Sequence, residues 1–545
     1  MTRTKNTNTS AASVEEKASA EKSVKGSGTG GFLGTVERLG NMLPDPFWLF
    51  VILAGFTAVA SWIGSMLGMS ATDPQSGETI EVTNLLSTEG LSQMVTEAVT
   101  NFTSFPPLGV IIAVMLGVAV AEQSGMLAAL VRAMVSKVGP RTLTFAVALA
   151  GVTGSVASDA IYVILIPLGA MAFHAVGRSP IVGAMVAFAA SSAGFNASLV
   201  LNITDLLLAG ISTSAAQLVD PAYEVSPVAN IFLVIPSAIV LSLIITAVTE
   251  LFITKKAHEL VDHDQINYDE VAFDGPEHDG EDAAEDTLEL SATETKGLVY
   301  TGIATLVFLA GYFALMLVPG SPLAGPDGSV MESPLLKSIA VPIALLFLVA
   351  GVVYGVTVKS ITSAADIPDF MGKGLATMIP MMVLFFAVAQ FLAWFKWSNL
   401  GSWTAIRGAE LLQSWNLPPL LLFAAFVALV ALLNLFITSG SAQWALMAPV
   451  IVPMMMYVGV SPEVSQMLFR IGDSPTNIIT PMSPYFALAL TFLQRYYKPA
   501  GVGTLMSLSL PYSMAMLIGW FLFFVVWYLL GIPLGPGSPM EYPAP

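Results

Sequence analysis

From Trp48 to Ile63, and again from Leu517 to Leu530, the chain carries no charged residue, and many of its segments are long and apolar. An α-helix needs about 20 predominantly apolar residues to cross a bilayer. Composition agrees: of 545 residues, 55% are hydrophobic and 11% are charged, with a mean hydropathy of +0.75. A soluble globule carries about 25% charged residues, because its surface must be hydrated. The fold class expected is therefore an all-α polytopic membrane protein, not a soluble fold with a large core.

The net charge of −17 is largely local, since fourteen acids lie between Glu259 and Glu294. No basic patch interleaved with aromatics appears, so nucleic acid is not an expected partner. Cysteine is absent, which excludes disulfides, thiolate metal sites and cysteine nucleophiles together. His258, His263 and His278 sit in or beside the acidic stretch, and His174 reads as a satisfied interfacial side chain. Residues 1–42 are polar, with Arg3, Lys5, Lys17, Lys22 and Lys25 and no apolar core, so they read as a disordered cytoplasmic tail rather than a signal peptide.

Basic residues orient the spans. Arg132, Lys137 and Arg141 follow the run Leu108 to about Leu130, which puts them in the cytoplasm and the polar stretch Ala71 to Thr100 outside. Residues 43–254 then form a first unit and 297–530 a second, joined by an acidic cytoplasmic linker at 255–296 and followed by an outer tail at 531–545. Simple spans are expected at Phe47 to Met69, Leu108 to Leu130, Asn230 to Ile253, Gly297 to Val318, Ser338 to Val358, Leu375 to Phe395 and Val502 to Leu530. Ser402 to Trp415, with Arg407 and Glu410, reads as an amphipathic helix at the outer interface.

Four stretches are broken by small polar residues. Two are helical hairpins that re-enter the side they came from, at about 142–176 (Gly154-Ser155-Val-Ala-Ser158-Asp159) and 417–457 (Thr438-Ser-Gly440-Ser441-Ala-Gln-Trp444). Two are interrupted spans, Ile181 to Leu218 and Pro462 to Leu493. The order repeats: Gly154-Ser155, Pro167, Pro180 and Asn196 are echoed by Gly440-Ser441, Pro453, Pro462 and Asn477. Pro180 to Asn196 is 16 positions, Pro462 to Asn477 is 15. The basic residues place the first hairpin on the cytoplasmic side and the second outside, giving an inverted repeat of nine spans plus two opposed hairpins. Inverted repeats with interrupted helices point to a secondary transporter whose site lies near mid-membrane.

The breaks suggest the chemistry. Unpaired N–H groups at helix ends attract an anion, while freed carbonyls with Asn and Asp side chains suit sodium. Ionisable groups at membrane depth are costly and usually functional. Asp159, Asp205, Arg470 and Asp473 qualify. Arg470 and Asp473, three residues apart, share a helix face and either form a structural pair or leave Arg470 to grip a substrate carboxylate while Asp473 tunes it or exchanges a proton. Trp444 either stacks on a substrate ring or packs the tip, Ser441, Asn434 and Asn477 are candidate hydrogen-bond partners, and Pro462, Pro475 and Pro481 hold backbone open. Sodium is a candidate ligand near Asp159, Asn196, Asn434 and Asn477, a proton the other coupling ion, and no further cofactor is expected. There is no phosphate-binding loop for a primary pump and no nucleophile–base–orienter trio for an enzyme. An anion channel or a non-transporting scaffold or receptor is the alternative.

Gly154 to Tyr162 with Ile166-Pro167, Gly194 to Leu199 through Asp205, Ser439 to Trp444, and Phe469 to Asn477 with Pro481 resemble the p-aminobenzoyl-glutamate transporter (AbgT) family. The resemblance runs from about Leu43 to Leu530. It implies a homodimer in the bacterial cytoplasmic membrane, each subunit with an inner transport core and an outer scaffold, and kinship to sodium–dicarboxylate symporters. It marks Asp205, Asn434, Ser441, Trp444, Pro462, Arg470, Asp473 and Pro481. It further implies uptake of p-aminobenzoyl-glutamate or proton-driven export of sulfonamide antimetabolites, both bearing an aniline ring. Gln443 stands where the family often has a basic residue, so substrate preference is expected to differ.

Overall fold

The computed structural model describes residues 44–74, 77–136, 138–157, 160–271, 290–318, 320–326, 329–330 and 333–543. The expected N-terminal tail, Ser158, Asp159, His278 and the middle of the linker lie outside them.

Helix α1 (Pro46–Met66) starts where Asp45 accepts a hydrogen bond from the Phe47 N–H at 2.9 Å. Pro46 occupies the first turn, where its missing N–H would have had no partner anyway. The polar stretch that follows is not plain loop. Strands β1 (Ser70–Thr72) and β2 (Thr79–Glu81) pair antiparallel, Ser70 opposite Glu81, a small exception to the all-helical expectation. The run expected as one span from Leu108 to Leu130 is two helices, α2 (Pro106–Gln123) and α3 (Met126–Ser136). Gly125 between them has φ +84°, a conformation that glycine adopts without a side-chain penalty.

The first hairpin region comprises α4 (Leu143–Gly154) and α5 (Ala160–Ala175). The first interrupted segment follows as α6 (Pro180–Ala193) and α7 (Ile203–Ala216). Helix α8 (Ile231–Val248) continues through a π turn at Thr249–Ile253 to Leu260. Helix thus occupies both ends of the stretch expected as linker. Helix α9 (Ala292–Leu317) opens on a capping box in which Ser291 and Glu294 satisfy each other's backbone N–H groups.

Next come α10 (Ala340–Val358), α11 (Asp366–Thr377) and α12 (Ile379–Trp397), so the span expected from Leu375 is split at Met378. Helix α13 (Leu400–Trp415) exists as expected, with Ala405, Ile406 and Ala409 buried beside Tyr457. The second hairpin region is α14 (Pro419–Asn434) and α15 (Gly440–Tyr457). The second interrupted segment is α16 (Pro462–Asp473), a 3-10 turn (Ser474–Ile479) and α17 (Pro484–Tyr496), followed by α18 (Val502–Leu529).

Among the described residues seven helices (α1, α2, α8, α9, α10, α12 and α18) are long and apolar enough to cross a membrane. Two packing groups emerge. In one, α10 lies on α2 and α9, α11 on α2, and α12 on α1. Glycines set the closest approach, for a Cβ at Gly117 would stand 1.9 Å from the Ala344 carbonyl oxygen. In the other group α6 packs on α4 and α5, α7 on α15, α14 on α16, and α18 on α8 and on the Ser474–Ile479 turn. The second group holds both interrupted segments, and α7 also packs against α2.

Candidate functional site

The two interrupted segments meet each other at their breaks. Every residue of α6 and of α16 is buried. Helix α6 ends at Ala193, and the chain runs without helix to Asn202, where a second capping box restarts it as α7. There Asn202 Oδ1 accepts from the Asp205 N–H at 3.1 Å, and Asp205 Oδ2 accepts from the Asn202 N–H at 2.8 Å. Helix α16 starts with Pro462 behind its Ser461 cap and tightens to 3-10 after Asp473. Pro475 lies in the first turn of that 3-10 segment and has no N–H to continue an α-helical ladder.

Arg470 Nη1 lies 2.6 Å from Asp205 Oδ1, both side chains almost wholly buried at 1% and 5% exposure. The same nitrogen donates to the Asn196 carbonyl at 3.3 Å. The pair offered as one reading along α16, Arg470 with Asp473, is not the ion pair seen. Asp205 reaches Arg470 from the first turn of α7, while Asp473 accepts instead from Asn196 Nδ2 at 2.9 Å. Ser474 Oγ adds a further stitch, donating to the Ala193 carbonyl at 2.9 Å and accepting from the Asn196 N–H at 3.3 Å.

The segment expected as the second hairpin closes on the same place. Asn434, at the end of α14, donates through Nδ2 to the Asp473 carbonyl at 2.6 Å and to Thr476 Oγ1 at 2.8 Å. Asn477 Nδ2 reaches the Asp473 carbonyl at 3.4 Å. A Cβ at Gly440 would stand 2.9 Å from Asp473 Oδ2, so the tip lies directly on that carboxylate. Ser439 caps α15, accepting from the Ala442 N–H, and its hydroxyl is 3.4 Å from that of Ser441. Pro481 sits just past the 3-10 turn, before α17 begins.

Trp444 is buried among protein groups rather than presented to a cavity. Its Nε1 donates to Ser212 Oγ at 3.0 Å, and its ring packs on Phe469 with centroids 4.6 Å apart. Of the two readings of this residue, tip packing describes the conformation seen. At the first tip, Ser155 Oγ accepts from Asn202 Nδ2 at 3.2 Å, and Gly154 packs so closely that a Cβ would meet Ile161 Cδ1 at 2.2 Å. That tip touches the first break through Asn202.

Sequence reasoning passed over Ser212, Gln466 and Thr476. Gln466 hydrogen-bonds Ser212 at 2.8 Å and Asn230 at 2.9 Å. Its position four residues before Arg470, hence on the same helix face, was the available signal.

Several buried atoms here have no hydrogen-bond partner: Oδ1 of Asn196, Asn434 and Asp473, Oε1 of Gln443, and Nε of Arg470. Buried polar atoms are seldom left in this state. Oxygens without donors suit a hard cation, and a guanidinium N–H without an acceptor suits a carboxylate. Among the described residues no three His, Asp or Glu side chains gather as a metal cluster.

Comparison with known proteins agrees with this architecture. The chain is 38% identical over 511 residues to the p-aminobenzoyl-glutamate transport protein of Escherichia coli (strain K12), covering 93% of this chain and 97% of that protein. It is similar to the crystal structure of the Alcanivorax borkumensis YdaH transporter, at 39% identity and a TM-score of 0.82, covering 90% of this chain and all of that one. It is also similar to Neisseria gonorrhoeae MtrF, described as illuminating a class of antimetabolite efflux pumps, at 40% identity and a TM-score of 0.84, covering 93% of this chain and 100% of that one. The model of the AbgT putative transporter family matches residues 31–542. A helical membrane protein whose broken segments meet around Arg470, and whose sequence matches that model almost from end to end, belongs to the AbgT putative transporter family.

Proposed function

We propose that this chain is a secondary active transporter of aromatic anions of the p-aminobenzoyl-glutamate kind, and that sulfonamide antimetabolites use the same path. One observation carries the reading: a buried guanidinium held by Asp205 between two helix breaks, its Nε still without an acceptor. A substrate carboxylate meeting Arg470 would satisfy that donor, and release would return Arg470 to Asp205. The aniline ring is not stacked on Trp444 in this conformation, because Ser212 and Phe469 already occupy the indole.

Two coupling ions fit. A proton on Asp473 would remove a buried charge whose Oδ1 has no donor. Sodium would be held by Asn196, Asn434 and Asp473 through the oxygens left without partners, with Asn477 alongside. Asp159, the remaining candidate, lies outside the described residues. The basic residues support nine spans, two re-entrant hairpins of opposite sense and a cytoplasmic N-terminus in a bacterial inner membrane. Helix α9, with only 6% of its apolar stretch buried, offers a face for lipid or for the second subunit of a homodimer.

The test is flux of radiolabelled p-aminobenzoyl-glutamate into proteoliposomes, with proton and sodium gradients imposed separately. Accumulation driven by one gradient, and lost in D473A that still reaches the membrane, is expected. Passive, uncoupled flux would favour a channel, and no flux at all a receptor or scaffold.

A further inference from the structure

Glu463 is a buried carboxylate that the site above does not use. It lies in the first turn of α16 with 3% of its surface exposed. An acid in a first helical turn ordinarily complements the helix dipole from the solvent. This one is enclosed. Its own N–H and the Ser461 hydroxyl reach the carboxylate at the helix start, and from elsewhere the Tyr223 hydroxyl donates to Oε2 at 2.9 Å and reaches Oε1 at 3.2 Å. Burial, reinforced by the Glu463 charge, pushes the Tyr223 phenol above its ordinary range, so it remains a donor.

Among the described residues no cation compensates it. The elements around α16 bring Tyr223, Asp220 and Glu224 from the 217–230 loop and Tyr457 from α15. They also bring Asp205 from α7, Tyr512 and Tyr528 from α18, and Glu541 and Tyr542 from the C-terminal tail. The one Lys, Arg or His on any of these elements is Arg470 of α16 itself, and Asp205 already holds it. A carboxylate taken out of water with only neutral donors for company carries an uncompensated charge unless it binds a proton.

Its placement ties it to the transport site. Glu463, Gln466, Arg470 and Asp473 fall three, four and three residues apart, one stripe of α16. Asn230 Nδ2 donates to the Glu463 carbonyl at 3.0 Å, and the Asn230 side chain hydrogen-bonds Gln466, which in turn bonds Ser212, the partner of Trp444. At its other end Glu463 lies under the tail. Tyr542 donates its N–H to the Gly459 carbonyl at 3.0 Å, Val460 bridges Glu541, and the Tyr542 ring meets that of Tyr223 edge-on at 5.8 Å.

We propose that Glu463 is a second proton-binding residue of the transport cycle, loaded from the end of the protein where the C-terminal tail lies. The carboxylate takes up one proton from that side, becoming a neutral acid, and gives it back when the cycle reverses. The charge that appears and disappears stands two helical turns, about 10 Å along the axis, from Arg470. Glu463 touches no substrate in this scheme. It positions α16 through its charge. The inference rests on the transport reading above.

The experiment uses the full chain in proteoliposomes with radiolabelled p-aminobenzoyl-glutamate, changing pH on one side at a time. Substrate exchange at equal pH serves as the basal rate. In E463Q exchange should stay within about twofold of wild type. Its response to pH on the tail side should fall below about twofold per unit, where a single titrating group permits about tenfold. Y223F, which keeps the carboxylate but removes one of its donors, should move the midpoint of that response upward. A wild-type pH profile in E463Q overturns the proposal. Should E463Q fail to reach the membrane, an unmoved midpoint in Y223F overturns it instead. Wild-type protein that shows no gradient-driven flux would remove the transport reading itself, a separate failure visible before any variant is compared.

Discussion

Replacing Asp205 with Asn tests whether the interhelix ion pair is the central strut of the site. Asp205 does two things: Oδ2 caps α7 at 2.8 Å from the Asn202 N–H, and Oδ1 meets Arg470 at 2.6 Å. An Asn amide oxygen can still accept at the cap, so D205N removes the charge and little else. With both partners at 5% exposure or less, the variant leaves a guanidinium buried without its counterion, a loss of about 3–5 kcal/mol in comparable cases. D205A removes the cap as well and should lose roughly 0.5–2 kcal/mol more. The decisive comparison is with the double variant D205N/R470Q, in which neither charge remains. If the strut argument holds, the double variant recovers much of what D205N loses, because an unpaired charge is worse than no pair. The assay is the apparent melting temperature of detergent-purified protein for wild type, the single variants D205N and R470Q, and the double. The expected order is wild type, then double, then singles, with substrate flux absent from all three variants. Losses that simply add would refute the reasoning, as would D205N melting with wild type.

Two further predictions concern other parts of the molecule. G440A puts a methyl group 2.9 Å from Asp473 Oδ2, so it should reduce flux at least about tenfold while the protein still purifies as folded, the tip being forced off the carboxylate by a contact that real Cβ atoms avoid. Between the spans read at 338–358 and 375–395, the Ser363 and Thr362 N–H groups donate to Asp366 and hold its carboxyl below the usual carboxylate range. A lowered folded value stabilises the start of α11 above about pH 4 and is lost as pH falls through that lowered value. Hydrogen exchange at residues 362–369 should therefore quicken only in acid for wild type, and be fast already at neutral pH in D366A.

Much of this was legible from residue order. The four polar interruptions lie where helices end: Gly154-Ser155 closes α4, Asn196 lies between α6 and α7, Gly440 opens α15, and Asp473-Ser474 ends α16. Small and polar residues in apolar surroundings leave backbone groups that only protein or a polar cavity can satisfy, which makes such breaks readable. Partnership was less so. Arg470 and Asp473 share a face, but helix periodicity says nothing of what crosses from another segment, and a capping box far earlier in the chain supplied Asp205. The Ser124-Gly125 break inside an otherwise continuous apolar run was missed because one glycine does not end a hydropathy pattern, whereas its positive φ ends the helix. The buried position of Trp444 was open from sequence alone, since an indole at a tip packs and binds by the same chemistry.

The seam between the two broken segments has a mechanical consequence. Asn196 to Asp473, Asn196 to Ser474, Ser474 to Ala193 and Arg470 to Asn196 all use at least one side chain, and among the described residues no main-chain to main-chain bond joins residues 193–205 to 470–477. The halves are buttoned, not woven. Parting them undoes no rung of any helix; each neutral button contributes only about 0.5–1.5 kcal/mol net, and each one made to Arg470 or Asp473 about 1.5–3 kcal/mol. Separating the two breaks therefore costs no main-chain hydrogen bond, and the fastening that resists most is the ion pair of Arg470 and Asp205.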